Sequence, residues 1–291
     1  MKNTLIQKAK ELKIEYIGFC SAKRDDVLFE ILSKRREKFG INPFEEEDIE
    51  KRVDASLLLK TAKSIIVCLF PYKTKEETVK NLALYASVTD YHLVAQEKLA
   101  LLAEVLSGFK TLCFADTGAL CDRFLAFRAG LGFFGKNNML INEKYGSYFA
   151  IGYILTDAEI EPDKELNKKC MGCCECIKNC PTNAIKEDFG FDYTKCLSFI
   201  TQAKELSCEQ RELLKKSDKI IGCDICQSVC PHNLTAQITP VDEFYKNNLS
   251  GISFDDISSL SNREFKEKFG SFAFSFLGKK RILRNITEKN K

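Results

Sequence analysis

Cys170-Met-Gly-Cys173-Cys174-Glu-Cys176-Ile-Lys-Asn-Cys180-Pro181 and, downstream, Cys223-Asp-Ile-Cys226-Gln-Ser-Val-Cys230-Pro231 decide what this chain is built around. Both stretches space cysteines at x2 and x3 intervals, and both end in Cys-Pro. The first contains the register C-x2-C-x2-C-x3-C-P, with Cys174 inside it but out of step. The second lacks the leading cysteine, and Cys196, from a separate segment, is the natural replacement. A tight loop lets three successive sulfurs converge, and the proline turns the chain away into a helix.

That spacing is the one in which three thiolates hold a cubane 4Fe–4S cluster while the fourth reaches across to a second cluster. It assigns Cys170, Cys173, Cys176 and Cys230 to one cluster, and Cys180, Cys196, Cys223 and Cys226 to the other. The alternative is a pair of four-cysteine zinc sites, which also use C-x2-C pairs. Zinc does not call for interleaved third and fourth thiols or for the paired Cys-Pro endings. Cys20, Cys68, Cys113, Cys121 and Cys208 read as small hydrophobic residues. Two clusters in series make a wire for single electrons, and residues 1–169 precede it, more than an electron carrier alone requires.

Outward from the cysteines, the 291-residue chain is 45% hydrophobic and 29% charged, the composition of a globular protein. No apolar run approaches the roughly 18 residues of a membrane span, so no membrane partner is expected. The N-terminus Met1-Lys-Asn-Thr-Leu-Ile has no apolar signal core, which points to a cytoplasmic location. Fourteen cysteines then favour metal ligation over disulfides. A net charge of +3 permits a nucleic-acid partner without arguing for one.

Before the cysteines, helical periodicity marks Asn3 to Lys13, Arg24 to Phe39, Tyr91 to Leu106 and Cys121 to Ala129, the last closed by Gly130. Strand-length apolar runs fall at Ile14 to Cys20, Ser64 to Phe70 and Thr111 to Ala115. Met139 to Asn142 and Ser147 to Leu155 read as two strands joined by a turn. The alternation predicts an α/β or α+β domain over residues 1–160, a ferredoxin-like two-cluster domain over 161–235, and a C-terminal segment, 236–291, packing on the body.

Further motifs surround this frame. Asp116-Thr-Gly-Ala-Leu-Cys-Asp122-Arg123 runs into Arg128-Ala-Gly-Leu-Gly-Phe-Phe-Gly-Lys136-Asn137, followed by Tyr145-Gly-Ser147 and Ile154-Leu-Thr-Asp157. With Glu50-Lys51-Arg52-Val53, Gly222-Cys-Asp224-Ile-Cys and Leu283-Arg284-Asn285, nearly the whole chain closely resembles epoxyqueuosine reductase, a cobalamin-dependent iron–sulfur enzyme family of tRNA modification. The resemblance implies reduction of epoxyqueuosine to queuosine at the wobble position of tRNA, for the Tyr, His, Asp and Asn acceptors. It implies base-off cobalamin between the two domains, two 4Fe–4S clusters, a low-potential electron donor and a monomer.

The same resemblance makes Asp116 the proton donor, after the predicted strand Thr111 to Ala115. The other reading is a helix cap or an Asx turn with Gly118. A carboxyl that holds a proton near neutrality needs a raised pKa, so Asp116 is expected to be partly desolvated over the corrin. Arg52 aligns near the cobalamin, or else pairs with the acidic loop Glu45 to Glu50. Leu140, Ile151 and Ile154 are expected along one side of the corrin, with a core-strand role equally open for the two isoleucines. Ser198 and Asp224 are expected to face it from the cluster side. Lys136 suits a phosphate or a solvated loop. His92 lies in Asp90-Tyr-His92-Leu-Val-Ala95, close to the D-x-H-x-x-G motif of other cobalamin proteins, but reads here as structural or substrate-facing.

Many members of that family carry a C-terminal helical-repeat extension, and this chain resembles the short form. Lys279, Lys280, Arg281 and Arg284 are then candidate phosphate contacts. Rival readings are a dehalogenase-like cobalamin reductase of a small molecule, a non-catalytic electron carrier, and a two-zinc interaction module.

Overall fold

The computed structural model describes residues 1–74, 79–188 and 190–290. Its first half holds α1 (Lys2–Glu11), β1 (Tyr16–Ser21), α2 (Asp26–Phe39), α3 (Ile49–Val53), β2 (Ser64–Pro71), α4 (Tyr91–Ala103), β3 (Thr111–Ala115), α5 (Asp122–Arg128), β4 (Phe133–Phe134), β5 (Leu140–Ile141) and β6 (Phe149–Thr156). The cysteine-rich part follows with the short helices α6 (Glu175–Lys178), α7 (Leu197–Gln202), α8 (Cys208–Leu214), α9 (Ile225–Ser228) and α10 (Pro231–Leu234). The last are α11 (Asp255–Ser258), α12 (Asn262–Phe269) and α13 (Gly278–Lys289).

Four strands form one sheet in the order β1-β2-β6-β3, and every ladder in it is antiparallel. The central strands β2 and β6 are buried along their whole lengths, which is why they read as continuous apolar runs. Alternation along them feeds two cores. Ile66, Cys68, Phe70 and Ile154 face one with α1 and α4, whereas Ile65, Val67, Leu69, Ile151 and Tyr153 face the other with α5. Gly18 on β1 is required by that second packing, because a Cβ there would collide with the carbonyl oxygen of Ala129.

The hairpin expected between Met139 and Leu155 is not a hairpin. β5 pairs with β4, Phe134 opposite Leu140, and β6 joins the large sheet instead. Asn142 explains the difference: its side-chain oxygen accepts from the amides of Lys144 and Tyr145 while its amide group donates to the carbonyl of Leu131. The turn is thereby pulled toward the β4 side, with one bridge left between Asn142 and Gly146.

The C-terminal segment extends the first core, contributing Phe265, Phe269, Phe272, Phe274, Ile282 and Ile286 against Leu84, Ala86 and Val88. Ile220 and Ile221 from the cysteine-rich part join the same cluster. A buried polar knot fastens the two parts elsewhere. Asn233 accepts from the Ser147 amide (2.7 Å) and donates to Ser147 Oγ (2.9 Å) and the Gln227 carbonyl (2.8 Å), while Ser147 Oγ donates to Gln227 Oε1 (2.9 Å).

Candidate functional site

The loops around α6 and α9 gather the cysteines in two groups. Cys170, Cys173, Cys176 and Cys230 line one cavity together with Ile141 and His232. Burial first, then its neighbours Cys170, Cys230 and Cys173, push the Cys176 thiol up to about 11. In the second group, burial followed by Cys196 pushes Cys223 up to about 12. Cys226 is raised well above the ordinary thiol range by burial and then by Cys223, Cys196, Cys180 and Cys176. Cys226 thus also feels Cys176 of the first group, so the two groups adjoin. Crowded buried thiols resist ionisation until a metal neutralises them, so both donor sets fit cationic iron clusters.

Cys174 belongs to neither set. It sits in the left-handed region at φ 62° and accepts from Lys136 Nζ at 3.4 Å. Lys136 is therefore neither a free loop lysine nor, in this arrangement, a phosphate ligand.

Asp116 directly follows β3 at φ 60°, a left-handed conformation of the kind found in functional loops. Its carboxylate accepts from the Tyr91 hydroxyl at 2.5 Å and lies 3.5 Å from His92 Nε2. The start of α4 places both partners. Asp90 caps that helix by accepting from the His92 amide, and the same oxygen meets His92 Nδ1 at 2.7 Å. The Tyr91 and His92 rings stack with centroids 4.1 Å apart. Burial works against a charged His92 ring, but the Asp116 and Asp90 carboxylates overcome it and lift His92 to about 9. Burial, then Asp116, hold Tyr91 well above the ordinary phenol range, so it stays a donor.

The Asp116 side chain is 57% exposed, open on the side a cofactor or substrate would cover. Its two partners, the Tyr91 hydroxyl and the His92 ring, are both groups that carry protons. The neighbouring carboxyl that is raised is Asp122, chiefly by burial and next by Asp116.

A polar row leads from Asp116 toward the second cysteine group. Tyr85 packs edge-on against Tyr91 with ring centroids 6.2 Å apart, lies close to Ser198, and feels both Asp116 and Asp224. Asp224 fixes the turn that carries Tyr85 by accepting from the Leu84 amide (2.9 Å), and it pairs with Lys219 (3.0 Å). Ser198 follows Cys196 and Asp224 follows Cys223, so the row is continuous with the second thiol set. Tyr85 and Tyr91 escape the sequence reading; only the neighbouring Asp90-Tyr-His motif hinted at the latter.

Other expected cofactor contacts lie elsewhere. Leu140 and Ile154 are fully buried in opposite cores, and Ile151 faces the Leu140 side. The two isoleucines thus cannot line one ligand face together. Arg52 is buried and donates to Glu45 of the acidic loop at 2.6 Å, with Cys121 Sγ at 3.9 Å. At the C-terminus, Arg281 donates to the Gln202 carbonyl and Arg284 to those of Ala203 and Lys204, closing the end of α7. Lys279 bonds the carbonyls of Ser258 and Leu260. Of the four basic residues, Lys280 alone is exposed; the other three hold helices together.

Residues 169–233 match the family profile of a 4Fe-4S double cluster binding domain, and residues 52–117 match that of epoxyqueuosine reductase QueG. The second match ends one residue past Asp116. The epoxyqueuosine reductase of Bacillus subtilis (strain 168) is 36% identical over 98% of this chain and 77% of its own length. That of Leadbetterella byssophila is 32% identical over 96% of this chain and 94% of its own. Among solved structures, an epoxyqueuosine reductase with an epoxyqueuosine-modified tRNA-Tyr stem loop superposes with a TM-score of 0.88 at 36% identity, covering 99% of this chain and 80% of the other. A Bacillus subtilis structure with a TM-score of 0.89 and 35% identity has the aspartate-bearing catalytic loop swung out of its active site. A catabolic reductive dehalogenase shares the fold, with a TM-score of 0.54 at 14% identity. A paired-cluster cysteine framework, a strained exposed aspartate at a strand end, and relatives of one kind along nearly the full length lead to one assignment: the chain belongs to the epoxyqueuosine reductase family.

Proposed function

We propose that this protein reduces epoxyqueuosine to queuosine at the wobble position of tRNA, with Asp116 as the acid that protonates the departing oxygen. The observation that carries the reading is the placement of Asp116: in the left-handed backbone region at the end of a strand, exposed to an incoming substrate, and hydrogen-bonded by Tyr91, whose ring packs on Tyr85 on the side of the second cysteine set. The acceptors are those that carry queuosine, for Tyr, His, Asp and Asn.

Cys170, Cys173, Cys176 and Cys230 hold one 4Fe–4S cluster, and Cys180, Cys196, Cys223 and Cys226 hold the other, with electrons entering from a low-potential donor. Cobalamin, when bound, would supply low-potential electrons for opening the epoxide. Asp116, Tyr85, Tyr91 and Ser198 form the polar face that meets it, with Asp224 fixing the turn beneath Tyr85. Arg52, engaged by Glu45, and Leu140, Ile151 and Ile154, packed in the two cores, hold the surrounding frame and do not form part of this face. The Tyr91 hydroxyl donates to Asp116 and orients its carboxylate.

The test is anaerobic incubation of the cluster-loaded protein with cobalamin, a strong reductant and tRNA bearing epoxyqueuosine, with nucleoside analysis of the product. Queuosine formation supports the reading. A cluster- and corrin-loaded protein that leaves the epoxide intact but reduces a small organohalide moves the assignment to a small-molecule reductase.

A further inference from the structure

Turning an epoxide into an alkene breaks two C–O bonds, forms a C=C bond and releases the oxygen as water, consuming two electrons and two protons. A single carboxyl carries one proton. Around Asp116 the structure provides a second store. Asp90 Oδ1, His92 Nδ1, His92 Nε2 and Asp116 Oδ2 follow one another at 2.7 Å, within one ring, and at 3.5 Å. Asp90 holds the ring from behind, so the Nε2–H is left pointing at Asp116. The groups facing the ring are these two carboxylates and the stacked Tyr91, with Tyr85 beyond Tyr91. Tyr91 cannot serve the same purpose, since its hydroxyl is held far above the working range and acts as a fixed donor.

We propose that His92 is the proton reservoir of the site, reloading Asp116 through Nε2 between the two protonations of the substrate oxygen. In this step the Nε2–H bond of His92 breaks and an O–H bond forms on Asp116 Oδ2. The neutral imidazole that remains keeps its Nδ1–H on Asp90. The ring is a quarter exposed, so it recovers its proton from solvent. No electron moves in this step. A carboxylate–imidazole–carboxylate line of this kind suits a histidine that is charged at neutral pH. The inference rests on Asp116 being the acid of the proposed reaction.

Two readouts test it. The chain has two histidines, so ring NMR of the oxidised, cluster-loaded protein assigns His92 by comparison with His92→Gln. The His92 ring should titrate near 9 and fall by a unit or more, about tenfold in proton affinity, in Asp116→Asn. Titration at the ordinary imidazole value in both proteins overturns the reservoir, whatever the turnover. In the tRNA reaction, the wild-type rate should decline as pH rises through the same midpoint. His92→Gln should be slowed at least about tenfold and lose that alkaline limb, with added imidazole restoring part of the rate in His92→Gly. A His92→Gln protein with the wild-type rate and alkaline limb overturns the proposal. A wild type that leaves the tRNA epoxide untouched overturns the assigned reaction, while the ring titration still decides the reservoir by itself.

Discussion

Replacing Asn233 with Leu should loosen the cluster-bearing part from the sheet without touching a cysteine. Asn233 is buried and makes three hydrogen bonds, accepting from the Ser147 amide and donating to Ser147 Oγ and the Gln227 carbonyl. Leu fills a similar volume, so the loss is polar. Leaving the buried Ser147 amide without an acceptor costs roughly 1–3 kcal/mol, and the two donated bonds contribute about 0.5–1.5 kcal/mol each. Gain from the apolar replacement offsets part of this, which leaves a net loss of about 2–4 kcal/mol. For a chain of this size each kcal/mol moves the melting midpoint by about 2–4 °C, so a drop of roughly 6–12 °C is expected at mid-range. The assay is an anaerobic thermal scan that follows the visible absorbance of the clusters alongside far-ultraviolet circular dichroism at one scan rate. Cluster absorbance should be lost first, because Gln227 lies beside Cys226 and Asn233 follows Cys230 closely. A midpoint within about 2 °C of wild type would refute the view that this knot fastens the two parts.

Arg284→Ala should lower stability by about 1–2 kcal/mol through the uncapped end of α7, yet leave tRNA affinity within a factor of two; a salt-dependent loss of tRNA binding would return Arg284 to the nucleic-acid interface. Glu45→Gln should cost about 1–3 kcal/mol in chemical denaturation, since it strips the buried Arg52 and the half-buried Arg35 of their shared carboxylate; no change in midpoint would show that the acidic loop is not needed to hold Arg52. His92, raised above the ordinary imidazole value, stabilises the folded state fully below about 6.5 and progressively less as pH rises through about 9. The denaturation midpoint should therefore fall across that window in wild type and not in His92→Gln.

Much of the site was legible because its chemistry is tied to local spacing. The eight cysteines declare their grouping through the x2 and x3 intervals and the Cys-Pro ends. Asp116 announces itself by following a strand within a recognisable motif. β2, β3 and α4 were readable because burial on both faces, or helical period with an Asp cap, leaves a direct mark on the sequence. What was not legible depends on tertiary partners. The Asn142 amide decides that β5 pairs with β4, and nothing in the local pattern of Leu140 and Ile141 says so. Arg281 and Arg284 look like a basic tail until α13 lies across the end of α7 and their guanidinium groups find its carbonyls. Ile151 and Ile154 look alike along the chain, but an odd spacing in a strand sends them to opposite cores. The proton inventory around Asp116 was missed for the same reason: α4 and the end of β3 meet only in the fold.

Single-turnover reduction of epoxyqueuosine in tRNA, compared between wild type and Asp116→Asn at matched iron, sulfide and corrinoid content, tests the account most directly. Asn accepts the left-handed backbone that Asp116 occupies, so the variant should fold and load normally. The account predicts queuosine from the wild type and a rate lower by about 100-fold or more in the variant. Asp116→Asn turning over at the wild-type rate would contradict it.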